Sequence, residues 1–418
     1  MHLDTYYNGV ELHRGNKIIY ARFLEPHMVV STCRAAGGLR RDLEYVLNYQ
    51  SCEPAGHQRR LFRLDPQAYQ KLICEPHGLP AAKCATMGTA ANMHHAAFIT
   101  KKFRNLEVTA VVTGGVETNA GRAGDPASVM ENQDGFEKLP PARGVPGPGT
   151  INIMLFISRP LTEAALIRTI ITATEAKTAA LQELAVNSRY SNGLATGTGT
   201  DQMIAAAPDR EGFRLTWAGK HGKLGELIGR AVKKAVKETL AKQNSLTPMG
   251  QCSVKIHLER FGCNGASMRA GISRYLGAER AALLESNFTA IIRDPLTVAA
   301  IAGMAHIRDK FSWGILPSSC WHEIMGSAAA QTACAVSGRY DKMARYKEIL
   351  SQVTGPGRED DFLKLCWQSM ALGFTDKWPA DDEPPGNPQD KTRYETNNPP
   401  SLHPRHNVPQ PLLANSSG

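Results

Sequence analysis

Short apolar runs rich in β-branched residues recur between residues 15 and 245, at 18–23, 28–32, 108–113, 150–158 and 202–207, and helical periodicity fills the intervals. Runs of this length and composition read as strands. Strands interleaved with helices must bury their apolar faces on one another, so the pattern dictates a layered α/β fold, a mixed sheet with flanking helices. The strand order stays open. Residues 40–49 and 90–102 are short amphipathic helix candidates. Residues 161–184 make a longer helix, with Thr162 as its N-cap and Glu163 in the first turn. Residues 221–242 are the clearest case. There Leu224, Leu227, Ile228, Ala231, Val232, Ala235, Val236 and Leu240 follow the i, i+3, i+4, i+7 rule. Arg230, Lys233, Lys234 and Lys237 occupy the opposite face. No second helix repeats that basic stripe, so it reads as a solvated outer surface.

The pattern changes after residue 246. Residues 1–246 form the α/β domain, and 247–377 read as a mostly helical C-terminal region, with helical segments at 281–285 and 296–308. Residues 378–418 are crowded with Pro, Asn and Asp and lack an apolar period, which predicts a disordered tail. The interval 125–149, with Pro140, Pro141, Pro146 and Pro148, reads as a long loop, the kind that often serves as a lid or binding loop. A chain of 418 residues is long enough to bury more than one core.

Several function classes are disfavoured. The net charge of +9 permits an anionic partner, but the basic residues are scattered and no basic-aromatic repeat appears, so nucleic acid is not expected. The N-terminal residues lack a basic and apolar leader, and no apolar run reaches the roughly 18 residues that span a bilayer, so no membrane insertion is expected. Nine dispersed cysteines without a C-x-x-C pair argue against a disulfide framework or a cysteine zinc site, and point to a reduced, cytoplasmic setting. The oligomeric state is not legible.

Two glycine-punctuated segments border strand candidates. One is Thr113-Gly114-Gly115-Val116-Glu117-Thr118-Asn119-Ala120-Gly121-Arg122-Ala123-Gly124-Asp125-Pro126. The other is Ser188-Arg189-Tyr190-Ser191-Asn192-Gly193-Leu194-Ala195-Thr196-Gly197-Thr198-Gly199-Thr200-Asp201. Glycines let backbone amides approach a ligand closely. One loop follows a strand and the other precedes one, so they share a sheet end if those strands run antiparallel. Glu117 and Asp125 suit a general base toward water, with Asn119 and Arg122 holding a carbonyl oxygen. The plain alternative is an Asx-turn loop, and Asp201 after Thr198 and Thr200 likewise reads either as a cap or as a ligand contact.

Glu175 shares a helical stripe with Thr172, Ala179 and Gln182, while Lys177 points away from it. Such stripes are usually solvated. His94 and His95 are adjacent, so on a helix they diverge by roughly 100° and cannot share a metal. His221 reads as a loop-end residue and Cys33 as a buried thiol. The chain has no H-E-x-x-H, no G-x-S-x-G elbow and no phosphate-binding G-x-x-x-x-G-K-[ST].

Taken together, certain runs resemble the adenosylcobinamide amidohydrolase family over residues 15–243. They are Ile151-Asn152-Ile153, Thr172-Ala173-Thr174-Glu175-Ala176-Lys177, Ala180-Leu181-Gln182, Ser188-Arg189-Tyr190-Ser191 and Ala195-Thr196-Gly197-Thr198-Gly199-Thr200-Asp201. Val116-Glu117-Thr118-Asn119 and Ala123-Gly124-Asp125 resemble the family's other marked segment. The resemblance implies a corrinoid salvage enzyme. Its members hydrolyse the amide joining the corrin's propionyl side chain to aminopropanol in adenosylcobinamide, giving adenosylcobyric acid and 1-amino-2-propanol. It implies a corrinoid small-molecule substrate and no cofactor, since the cobalt belongs to the substrate, and no protein-bound metal is expected. The expected base is Glu117, with Asp125 and Glu175 next. Asn119, Arg122, Arg189, Thr198, Thr200 and Asp201 are expected on the substrate side. The competing expectation is a non-enzymatic corrinoid-binding module linked to uptake.

Overall fold

The structure, a computed structural model, describes residues 1–51, 65–133, 135–140, 147–352 and 359–378. The expected tail therefore lies outside the described residues apart from Trp378. Strands β1 (His2–Tyr6), β2 (Val10–Gly15) and β3 (Ile18–Phe23) form a meander, followed by β4 (His27–Ser31) and β5 (Gly38–Arg40). Next come β6 (Tyr45–Gln50), helix α1 (Pro66–Cys74), β7 (Cys84–Thr89), β8 (Ala97–Phe103) and β9 (Leu106–Gly115). A short strand β10 (Ala120–Gly121) and a hairpin of β11 (Val129–Asn132) and β12 (Gly135–Lys138) precede β13 (Thr150–Ile157). Helix α2 (Glu163–Glu183), β14 (Gly197–Thr198), β15 (Gln202–Pro208) and helix α3 (Lys223–Asn244) complete this part.

Two sheets stack face to face. One has the order β1-β2-β3-β6-β7, the other β5-β4-β15-β13-β9-β8. Most neighbours are antiparallel, but β6 and β7 are parallel, as are β13 and β15. Helix α2 is the crossover between β13 and β15. Alternation along the strands sorts the side chains into layers. Ile151, Ile153, Leu155 and Ile157 face α2 and α3, whereas Met154 and Phe156 enter the core between the sheets with Val46, Met87 and Ile204. Leu47, Cys84 and Ile18 turn to the outer side, under α1. The result is four layers, helix, sheet, sheet, helices. Because β13 is covered on both faces, all of its residues are buried, which is why it reads as a continuous apolar run.

Two helix expectations are corrected. Residues 40–49 hold the end of β5 and most of β6, and 90–102 hold a 3₁₀ turn (Met93–His95) and most of β8. Leu43, Val46 and Leu47 sit at helical spacing. Yet Val46 points between the sheets and Leu47 toward α1, so period two wins through burial on both faces. His94 and His95 are in a turn, where the His95 Nδ1 lies 2.9 Å from Gln243 Oε1. The 125–149 interval carries the β11–β12 hairpin; Asp134 and 141–146 lie outside the described residues. Thr162 does cap α2, accepting from Ala165 N at 3.3 Å.

The helical region comprises α4 (Pro248–Gln251), α5 (Val254–Leu258), α6 (Gly265–Ser273), α7 (Ala278–Arg293), α8 (Pro295–Ser312), α9 (Trp321–Ser337), α10 (Met343–Leu350) and α11 (Glu359–Lys377). It has its own core, centred on α9. The small side chains of Ala329, Ala330 and Ala333 are fully buried there, which lets neighbouring helices approach closely. Asp294 ends α7 and caps α8, accepting from Thr297 N at 2.8 Å. No single described helix is long and apolar enough to cross a membrane; α7 and α8 together reach that length but bend by 73° at their junction.

Candidate active site

Strand β9 is antiparallel to β13, and β13 is parallel to β15. The end of β9 and the beginnings of β13 and β15 therefore lie at one edge of the sheet, and the two glycine loops meet there. They pair directly. Ala120 faces Thr198 and Gly121 faces Gly197 in the β10–β14 ribbon. Arg189 N donates to Ala120 O at 2.9 Å and Thr196 N to Gly121 O at 2.8 Å.

Asp201 ties the second loop to the sheet. Its Oδ1 accepts from Ile151 N at 2.8 Å and from the Thr198 hydroxyl at 2.6 Å. Its Oδ2 accepts from Thr198 N at 3.0 Å and forms a short ion pair with Lys177 Nζ. Lys177 is buried on α2 and faces this loop, away from Glu175. Glu175 is exposed on the outer side of the helix, 2.9 Å from Lys220. The stripe that includes Glu175 is split by its neighbours. Thr172 is buried and donates to Ala218 O at 2.8 Å, while Gln182 Nε2 reaches Ala195 O at 2.9 Å.

Asp125 organises the first loop. Its Oδ2 accepts from Arg122 N at 2.7 Å and from the Ser188 hydroxyl at 2.5 Å. The Tyr190 hydroxyl donates to Asn119 Oδ1 at 2.7 Å, and Asn119 Nδ2 donates to Gly149 O at 2.8 Å. Burial, and then the Asp125 charge, raise the Tyr190 phenol above its usual value, so it remains a donor. Arg122 Nη1 donates to Leu194 O at 3.1 Å, and the Thr200 hydroxyl to Gly149 O at 2.8 Å. Arg189 forms a 3.0 Å ion pair with Glu259. Glu117 differs from all of these. It is exposed just beyond β9, with no hydrogen bond or ion pair among the described residues.

The glycines of the ribbon serve close approach. A Cβ on Gly197 would stand 2.5 Å from Asp201 Oδ2 and 2.7 Å from Lys177 Nζ, and one on Gly193 would stand 2.6 Å from Arg122 Cδ. Gly124 alone among the loop glycines uses a left-handed backbone, at φ 93°. Beneath the loops, buried amides brace the two sheets. Asn152 Nδ2 donates to Asn48 Oδ1 and Gly88 O, both at 2.9 Å, and Asn48 Nδ2 donates to Thr113 Oγ1 at 2.7 Å. Cys33 is buried, and burial pushes its thiol up to about 12, a setting without thiolate reactivity.

The structure thus brings Asn119, Arg122, Asp125, Arg189, Thr198, Thr200 and Asp201 into one cluster, places Glu117 in the same loop, and leaves Glu175 on the outer side of α2. Sequence reasoning passed over Lys177, Ser188 and Tyr190. A lysine amid the alanines of α2, on the side away from Glu175, was the available signal for the first of them.

A family model described as adenosylcobinamide amidohydrolase matches residues 3–248, stopping within α4. The uncharacterized protein MJ1613 of Methanocaldococcus jannaschii is 37% identical over 182 residues, which make up 43% of this chain and 71% of that protein. The crystal structure of the PH0078 protein from Pyrococcus horikoshii OT3 aligns with 56% of this chain and 83% of its own, at 10% identity and a TM-score of 0.29. A likeness that slight carries no argument.

Proposed function

We propose that this chain, which belongs to the adenosylcobinamide amidohydrolase family, cleaves the aminopropanol amide of adenosylcobinamide to give adenosylcobyric acid and 1-amino-2-propanol. The observation that carries this reading beyond family membership is the direct pairing of the two glycine loops at one sheet edge. It gathers carboxylates, guanidinium groups and close-approaching backbone on a single surface, as amide cleavage requires. The cobalt is part of the substrate, and no other cofactor enters the reading.

Glu117 is the base. It is the carboxylate of this loop not engaged by a partner among the described residues, so it takes a proton from water as the oxygen attacks the amide carbon. The carbonyl oxygen gains charge in that step and is met by the Gly199 N–H, since Thr198 N and Thr200 N already donate to Asp201 and to the Thr198 hydroxyl, and by the Arg122 guanidinium. When the C–N bond breaks, the proton held by Glu117 passes to the departing aminopropanol nitrogen. Asp125 is the next candidate for the base, although Ser188 and Arg122 already occupy one of its oxygens. Glu175 would need to leave Lys220 to take part. Asn119, Thr198 and Asp201 hold the loops in register.

The test is incubation of the purified protein with adenosylcobinamide, with chromatographic detection of adenosylcobyric acid and free aminopropanol. Conversion supports the reading. Tight binding with the substrate returned intact would replace it by a corrinoid-binding module.

A further inference from the structure

The loop cluster has a second wall that lies outside the residues shared with the family. A cleft of about 330 Å³ opens between residues 122–125 and 191–193 on one side and Arg308, Ser312 and Trp313, at the end of α8, on the other. Three polar contacts fasten this wall to the loop. Asn187 Nδ2 donates to Ile256 O at 2.6 Å, Arg189 pairs with Glu259 at 3.0 Å, and Arg260 Nη1 donates to Asn192 O at 2.6 Å. Arg260 also grips Asp309 through two bonds of 2.9 and 2.6 Å in a fully buried setting. The wall is therefore held against the loops by polar contacts on several helical segments.

Size and lining restrict the occupant. At about 330 Å³ the cleft is at the small end of ligand pockets, so it admits one arm of a corrinoid and not the macrocycle. An anion is a poor fit. Asp125 and Asp309 share the lining, and the Arg308 guanidinium lies over the Phe261 ring at 4.7 Å. Such a lining, with Ser191, Asn192 and Ser312, suits a neutral group that both donates and accepts hydrogen bonds. Trp313 adds an aromatic surface. It lines the cleft and is 43% exposed overall, with Lys310 Nζ 5.0 Å from its ring centroid. Exposed indoles bind planar heterocycles by stacking. The amide arms of a corrinoid are neutral but have no ring to stack. The axial adenosyl group has a planar base and a hydrogen-bonding ribose.

We propose that this cleft is a nucleoside subsite, in which the adenine of the substrate's axial adenosyl group stacks on Trp313 while its ribose bonds to Asp125 and the neighbouring hydroxyls. The assignment of the nucleoside to a corrinoid rests on the hydrolase reading. The helical region then selects the form of the substrate that the loops cleave.

Binding separates the two ideas from turnover. Dissociation constants are measured by equilibrium dialysis of the full chain with adenosylcobinamide and with dicyanocobinamide, which lacks the nucleoside. Trp313→Ala is expected to weaken the adenosyl form about tenfold and the dicyano form by less than about twofold, the scale of one lost stacking contact. Trp313→Phe keeps a ring and is expected to recover most of the loss, which excludes misfolding as the cause. Equal losses for both corrinoids, or none, would overturn the subsite even if hydrolysis persists. An adenosyl-dependent loss without any turnover would uphold the subsite and remove the hydrolase reading. If free 5′-deoxyadenosine binds as tightly as the corrinoid and loses affinity equally in Trp313→Ala, the occupant is a free nucleoside and the corrinoid assignment fails.

Discussion

The α/β layers and the helical region each bury an ion pair and use it differently. Lys177 and Asp201, with side chains 10% and 15% exposed, lie in one knot, where Asp201 also holds the backbone of Ile151 and Thr198. Arg260 and Asp309, each 5% exposed, form a strut, because Arg260 reaches across to Asn192 O in the glycine loop. A buried pair adds little net stability over a well-packed apolar pair, yet removing one partner is costly since a charge is left alone. The second glycine loop is thus secured to its own sheet edge. The wall of the cleft is secured by a separate core nearly seventy residues away in sequence, since Asn192 and Arg260 are 68 apart.

The largest expected effect is at the knot. Lys177→Met leaves Asp201 buried without its cation and should lower unfolding free energy by about 3–5 kcal/mol in urea titration. A loss near zero would show that backbone donors alone satisfy Asp201. Arg260→Met should cost about 3 kcal/mol, at the low end of that range, because Arg308 remains 4.0 Å from Asp309. Hydrogen exchange should rise in 187–193 and α8 for this variant, but in 196–201 for Lys177→Met. If both variants loosen the same segments, the distinction between knot and strut collapses.

Acid should strike both regions. Burial lowers His27 in the α/β layers to about 4 and lowers His257 in α5, where the Arg260 charge adds to burial. A histidine held neutral contributes stability that is present above its unfolded value near 6.5 and is lost as the pH falls through its folded value. For His27 the loss between pH 6.5 and 4 amounts to about 3 kcal/mol. His27→Gln should flatten the pH dependence of the α/β transition. A slope as steep as wild type would assign the acid effect to other groups.

Catalysis should separate from stability at Glu117. Glu117→Gln is expected to slow turnover of adenosylcobinamide by at least about a hundredfold, with affinity and melting temperature close to wild type. Turnover within a few-fold of wild type would return the role to Asp125 or to a covalent route. The smallest effects are at the helix caps, one in each region. Thr162→Ala on α2 and Asn264→Ala, which removes the capping box of α6, should each cost about 1 kcal/mol by thermal unfolding. A loss well above this at Thr162 would mean that α2 is anchored mainly through its first turn.

Local periodicity made β3, β4, β9, β13, β15, α2 and α3 legible, because each either alternates or repeats within a few residues. It failed for β1 and β2, whose sequences His2-Leu3-Asp4-Thr5-Tyr6 and Val10-Glu11-Leu12-His13-Arg14-Gly15 mix charge with apolar residues at the sheet margin. It also misled at β6 and β8, where short apolar spacings fit either period and only burial on two faces decides. The glycine loops were legible as polar, close-approach segments, and their meeting followed once the strand directions were known.

By itself, then, the sequence determined the layered α/β architecture, the helical character after residue 246 and the residue types of the loops, since these follow from local pattern and composition. Tertiary structure alone decided which of those residues are held in place and which is left free. Lys177 finds Asp201 across 24 residues, Ser188 finds Asp125 across 63, and Arg260 finds Asp309 across 49. No periodicity encodes such partners. They are chosen when packed layers bring the groups into a dry environment, where an unpaired polar group is too costly to leave alone.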